Sequence, residues 1–155
     1  MTSRNDNANA GLRAFTFDGM SFTQVAGNTT DFVNPTSLAG DGTYLYIGTE
    51  NNNVYALKHD GGDINLLTTF NPSGDIDYCS YVYCDAQGYI WMVPYTTGLD
   101  NNGGYKSGVY TFDGSSFTLK QVNDYTSFGA TAMQVTSDGE NHFTLLTTIN
   151  NKYGI

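Results

Sequence analysis

Positive charge is scarce in this chain. Six Lys and Arg face fifteen Asp and Glu, a formal net charge of −9. A phosphate backbone would be repelled, which argues against nucleic acid as a partner. No apolar run approaches the roughly 20 residues that span a bilayer, and no basic amphipathic stretch suits a membrane surface, so membrane insertion is not expected. The segment Met1–Ala10 is polar and has no apolar core, so it does not read as a secretory signal; it reads as a flexible arm. No helical periodicity lasts beyond a turn or two. The two cysteines, Cys79 and Cys84, fall on one expected strand. At roughly 3.3 Å per residue they lie about 16 Å apart on opposite faces, outside disulfide reach. No second Cys or His pair completes a zinc site. The two histidines, His59 and His142, flank turns, and no Gly-x-Ser-x-Gly elbow or ordered triad accompanies them. No catalytic residue is assigned.

Glycine, tyrosine and phenylalanine are plentiful, at 18, 12 and 9 residues. They are arranged in a repeat. The run Thr16-Phe17-Asp18-Gly19-Met20-Ser21-Phe22-Thr23 returns as Thr111-Phe112-Asp113-Gly114-Ser115-Ser116-Phe117-Thr118. Internal repetition points to a repeating architecture. Two interleaved sets of turn signals follow the same beat. Asp18-Gly19, Asp60-Gly61 and Asp113-Gly114 form one set; Asp41-Gly42, Asp85-Ala86-Gln87-Gly88 and Asp138-Gly139 form the other. Asp-Gly between alternating runs predicts hairpins closed by type I′ turns. Both sets lengthen over the same interval, which places one insertion at Thr96 to Lys106.

The runs between turns are rich in Val, Ile, Tyr, Phe and Thr, the strand formers. They predict an all-β fold of three four-stranded antiparallel units in one domain, 11–155. The first covers about 36–70, with strands at 36–40, 44–49, 54–58 and 64–70. The second covers 79–122, with strands at 79–84, 89–95, 108–112 and 117–122. The third is split between the termini: 130–136 and 143–149 supply its first two strands, and 12–17 and 22–25 its last two. The termini are thus expected to be halves of one sheet, joined within or between molecules.

Four-stranded units of about 45 residues resemble β-propeller blades. Asp41-Gly42-Thr43-Tyr44-Leu45-Tyr46-Ile47-Gly48-Thr49, followed by Asn53-Val54-Tyr55-Ala56-Leu57, is similar to the blade repeat of pyrroloquinoline-quinone-type propellers. The likeness covers one unit well and the other two loosely. That family's tryptophan-docking pattern is missing, since Trp91 is the only tryptophan. No quinone-binding residue is carried over, and no cofactor is expected.

Closed propellers have 4–8 blades, so three leave edges and apolar faces open. The chain is therefore expected to be a homo-oligomer, with two copies closing six blades. Leu12, Phe15, Phe17 and Phe22 near one end, and Tyr153 and Ile155 at the other, are the candidate subunit contacts. Because Met1 opens the chain and the split falls cleanly between two strands, assembly is preferred over a fragment of a longer propeller enzyme.

Trp91, Tyr95 and Tyr105, with Tyr89, surround the inserted loop and are candidate contacts for a partner or a sugar face, although a strand position makes a core role the default for Trp91. Asp75-Ile76-Asp77 and Asp100-Asn101-Asn102 could offer oxygens to Ca²⁺, but turn chemistry explains them equally, and no metal site is assigned. The composition resembles that of phage tail, fibre and head-decoration proteins. The expected function is that of a non-enzymatic virion component, located in the virion or outside the cell after lysis, touching other virion proteins or surface glycans. A lectin-like, carbohydrate-binding propeller is the alternative.

Overall fold

In the computed structural model, residues 11–28, 32, 34–76, 79, 81–94, 106–125 and 130–148 are described. They form twelve strands and no helix: β1 Leu12–Phe17, β2 Phe22–Asn28, β3 Pro35–Gly40, β4 Leu45–Thr49, β5 Val54–Asp60, β6 Asp63–Phe70, β7 Tyr81–Cys84, β8 Ile90–Val93, β9 Lys106–Phe112, β10 Phe117–Asp124, β11 Ala130–Ser137 and β12 His142–Thr148. The all-β expectation holds. Strand ends differ by a few residues. β7 starts at Tyr81 rather than Cys79, because the Cys79 N–H is taken by the Asn52 side chain instead of the ladder. Asp75 and Ile76 do not lie in a strand. Both turn back on Pro72, whose carbonyl accepts their N–H groups.

β3 to β6 pair in sequence as an antiparallel meander, and β7 to β10 form a second. β1 and β2 form a hairpin, as do β11 and β12. Within one chain the two terminal hairpins lie in separate sheets among the described residues. β2 instead reaches the edge of the first meander through a single parallel pair, Gly27 with Asp63, and the Asn28 amide donates to the Ile64 carbonyl. The expected junction of the terminal halves inside one molecule is therefore absent among the described residues.

The type I′ expectation also gives way. In the loops starting at Asp18, Asp41, Asp113 and Asp138, glycine is the single residue with positive φ, at 91–99°. The aspartate replaces the second. Its Oδ1 accepts the N–H groups two and three residues on, while its own N–H donates to the carbonyl three residues on. Asp85 does the same across a loop one residue longer, taking the N–H of Gln87 and of Tyr89. A carboxylate that takes two amides fixes the loop without a second left-handed residue.

The ladders carry a second repeat that residue types do not show. In β2, β6 and β10 the register passes over one residue: Val25, Leu67 and Lys120. Each lies seven positions after its turn aspartate, Asp18, Asp60 or Asp113. In β3 and β11 it passes over Thr36 and Met133, each five positions before Asp41 or Asp138. An added residue bends a strand and moves later side chains to the other face.

Three cores stack the pieces. Leu12 and Ala26 of the first hairpin pack with Ile47, Leu57 and Ile64. Tyr46, Val54 and Ala56 on the other face of that meander pack with Ile90, Met92 and Tyr110 of the second. Trp91, Val93 and Val109, on the far side of the second meander, pack with Val135 of β11. β4 and β8 are thus covered on both faces, which explains their near-continuous apolar runs Leu-Tyr-Ile and Ile-Trp-Met-Val.

Candidate functional site

The hairpin β1–β2 presents an exposed outer face. On β1, alternation sends Leu12 and Ala14 into the core and Phe15 and Phe17 outward. The displaced register at Val25 then turns Phe22 of β2 to the same outer side. Phe17 stacks on Phe22 at 4.7 Å between ring centres, and Phe15 meets Phe22 edge-on at 6.5 Å. These three rings are 50%, 58% and 73% exposed. The three rings form one adjoining apolar patch on this face. β1 is also an edge strand, with no neighbour on its other side among the described residues. β12 is the matching edge at the other end, and Phe143 on it is 52% exposed.

Four of the expected subunit contacts are therefore placed. Phe15, Phe17 and Phe22 come together on one exposed face. Leu12 does not join them: at 3% exposure its side chain is committed to its own core. Tyr153 and Ile155 lie outside the described residues, as do Tyr95, Tyr105, the arm 1–10, Asp77 and the loop 100–102. Asp75 is described, and it accepts a hydrogen bond from the Tyr110 hydroxyl. Among the described residues no group of three His, Cys, Asp or Glu could hold a metal.

Trp91 is buried. Its indole N–H donates to Asp85 Oδ2 at 3.0 Å, and its ring lies against that of His142 at 4.8 Å. His142 Nε2 is 2.7 Å from the same oxygen. Burial would raise the Asp85 pKa, but hydrogen bonds from Trp91, the Tyr89 N–H, His142 and the Gln87 N–H outweigh it and hold the carboxyl below its usual value. Gln87 Nε2 adds a 2.6 Å bond to the Gly139 carbonyl. This node seats the last hairpin on the second meander. The turn-flanking position of His142 gave no sign of it, since Asp85 lies 57 residues away. In the preceding unit Tyr46 takes the place of Trp91, donating its hydroxyl to Asp41 at 2.7 Å. Burial drives the Tyr46 pKa strongly upward, so the hydroxyl stays a donor.

Cys79 and Cys84 are free. Burial raises the pKa of both, to about 12 for Cys84. A shallow groove of about 350 Å³ lies between Ala14, residues 42–45 and His59, too open to enclose a small ligand. No helix among the described residues is long and apolar enough to cross a membrane. Compared with protein-family models, curated proteins and solved structures, the chain matches none.

Proposed function

We propose that this chain is a non-catalytic structural protein that assembles with copies of itself through one shared, four-stranded, propeller-like blade. β11–β12 of one copy supplies the first two strands, and β1–β2 of the next supplies the last two. One observation carries the reading: the terminal hairpins bear the marks of complementary halves. β1–β2 has the displaced register seven residues after its turn, as do β5–β6 and β9–β10. β11–β12 has it five residues before its turn, as does β3–β4. Both hairpins end in edges that have no partner strand among the described residues. Exposed edges of this kind are templates for pairing with another chain.

Two copies would give six blades, inside the 4–8 range of closed propellers. A ring leaves neither hairpin open, which accounts for the exposed phenylalanines without a ligand. The carboxylates of Asp18, Asp41, Asp85, Asp113 and Asp138 are spent on loop closure, so they favour architecture over catalysis. The Gly-, Asn-, Thr- and Tyr-rich, Lys-poor composition supports a virion as the setting. The burial of Trp91 removes one of the aromatics on which a sugar-binding reading depends.

Sedimentation equilibrium at micromolar concentration tests the proposal. The expected mass is twice the 16.9 kDa of one chain. A mass that stays at one chain across the micromolar range overturns it.

A further inference from the structure

The internal units also say what should cover the exposed phenylalanines and in which register. Counted from the turn aspartate, Phe15, Phe17 and Phe22 of β1–β2 occupy the places of Tyr110, Phe112 and Phe117 of β9–β10. Those three are not open. Phe112 meets Tyr44 and Tyr46 of the preceding meander at 5.1 and 6.0 Å, and Phe117 meets Tyr46 at 5.9 Å. One unit further along, the places of Tyr44 and Tyr46 are held by Tyr89 and Trp91. The matching turn bonds establish this: Tyr44 and Tyr89 each give an N–H to their aspartate, and Tyr46 and Trp91 each reach its second oxygen. Tyr89 is 39% exposed.

We infer that the aromatic face Phe15–Phe17–Phe22 of one copy seats on the Tyr89–Trp91 surface of a second copy, with β1 pairing antiparallel to that copy's β12 so that Ala14 stands opposite Phe143. The register follows from two internal ladders. Leu45 pairs with Leu57 and Tyr46 with Ala56; Ile90 pairs with Tyr110 and Trp91 with Val109. Transferred to the ends, His142 stands opposite Phe15 and Phe143 opposite Ala14. The faces agree independently. His142 already lies on Trp91, the side on which Phe15 would arrive. Phe143, on the other side of β12, would share the side of Ala14 and enter the core that holds Leu12, Ile47 and Leu57. A register one residue off would put every side chain on the wrong face.

This inference rests on the self-assembly proposed above, and cross-linking tells the two apart. Directly opposed residues on antiparallel strands have Cα atoms about 5 Å apart, within disulfide range. Two single variants, Ala14→Cys and Phe143→Cys, are made in the full chain, mixed and mildly oxidised. Each variant oxidised alone reports any cross-link made through the native thiols, of which Cys79 is buried and Cys84 half-buried. The expected result is a covalent dimer in the mixture and in neither variant alone, with little product when Arg13→Cys replaces Ala14→Cys. A mixture that sediments as a dimer but does not cross-link overturns the register while self-assembly stands. A covalent dimer from Ala14→Cys alone shows β1 pairing with β1 and also overturns it. A monomeric mixture overturns both. Tyr89→Asp, at an exposed position, is expected to weaken the dimer by at least about tenfold, as loss of a central aromatic contact does. Unchanged dimer affinity in a folded Tyr89→Asp protein removes the aromatic seat from the proposal.

Discussion

The hairpins β1–β2 and β9–β10 carry almost the same eight residues around their turns, yet one is wet where the other is dry. In β9–β10, Phe117 stacks on Phe70 at 5.0 Å and lies 4.7 Å from Phe112, and Tyr110 is fully buried. In β1–β2 the corresponding Phe22, Phe17 and Phe15 touch only one another among the ring contacts of that face. The turn bonds are the same in both. Burial is therefore not a property of the motif. It depends on whether a tyrosine-bearing strand of the preceding unit stands in front of it, and for the first hairpin one chain provides none among the described residues.

The sharpest way to break that comparison is to truncate both members. Tyr110→Ala empties a fully buried site and leaves Asp75 without the hydroxyl it accepts from. A loss of about 3–5 kcal/mol is expected, as for other large-to-Ala changes in cores. Phe15→Ala, at the corresponding place, is expected to change the unfolding free energy of the dilute monomer by less than about 0.5 kcal/mol. Urea titration at low protein concentration measures both. Equal losses would mean that the Phe15 face is already covered within the chain.

The aspartate nodes form a second pair, with a smaller expected effect. Trp91→Phe keeps an aromatic ring, though a smaller one, and removes the N–H that Asp85 accepts in a buried setting. About 1–3 kcal/mol is expected, the cost of leaving a buried polar group short of a partner. Tyr46→Phe removes the matching donor to Asp41, which is only half-buried and keeps the Thr43 and Tyr44 amides. Water can replace that bond, and about 0.5–1.5 kcal/mol is expected. Denaturant midpoints of the two variants order them; the reverse order would show that His142 compensates Asp85.

Much of the strand layout was legible from residue order. Alternation and Asp-Gly punctuation located the twelve strands of the described residues to within a few positions, because strand formers and turn formers barely overlap in this composition. Three things were not legible. The displaced residues Val25, Leu67, Lys120, Thr36 and Met133 share no chemistry, so only the ladders reveal them. The turn type depended on a carboxylate replacing a left-handed backbone, which residue identity alone does not distinguish from type I′. The seat of His142 against Asp85 and Trp91 depends on sheet stacking over 57 residues, a distance that no local pattern spans. Of the candidate subunit contacts, Phe17 and Phe22 belong to the sequence repeat and Phe15 only precedes it; all three rings are exposed, whereas the Leu12 side chain is buried. Its alternation with Phe15 and Phe17 could have separated it from them.

Acid provides the gentlest comparison between the exposed turns and the buried one. Asp18, Asp113 and Asp138 are held below the usual carboxylate value of 3.8 chiefly by the amides they accept from. Asp85 is also held low, against its burial. A carboxyl whose pKa is lower in the folded chain adds stability that is fully present above the unfolded value. That stability is lost as pH falls through the folded value. Thermal melting between about pH 5 and pH 2 should therefore show midpoints flat at the upper end and falling below the unfolded carboxylate range. Asp113→Asn should reduce that acid slope slightly, since its turn faces solvent and bulk water screens the change. Asp85→Asn should reduce it more, because the lost charge is the one enclosed by Trp91 and His142. Equal slopes for the two variants would place the acid sensitivity in the turns as a class and not in the buried node.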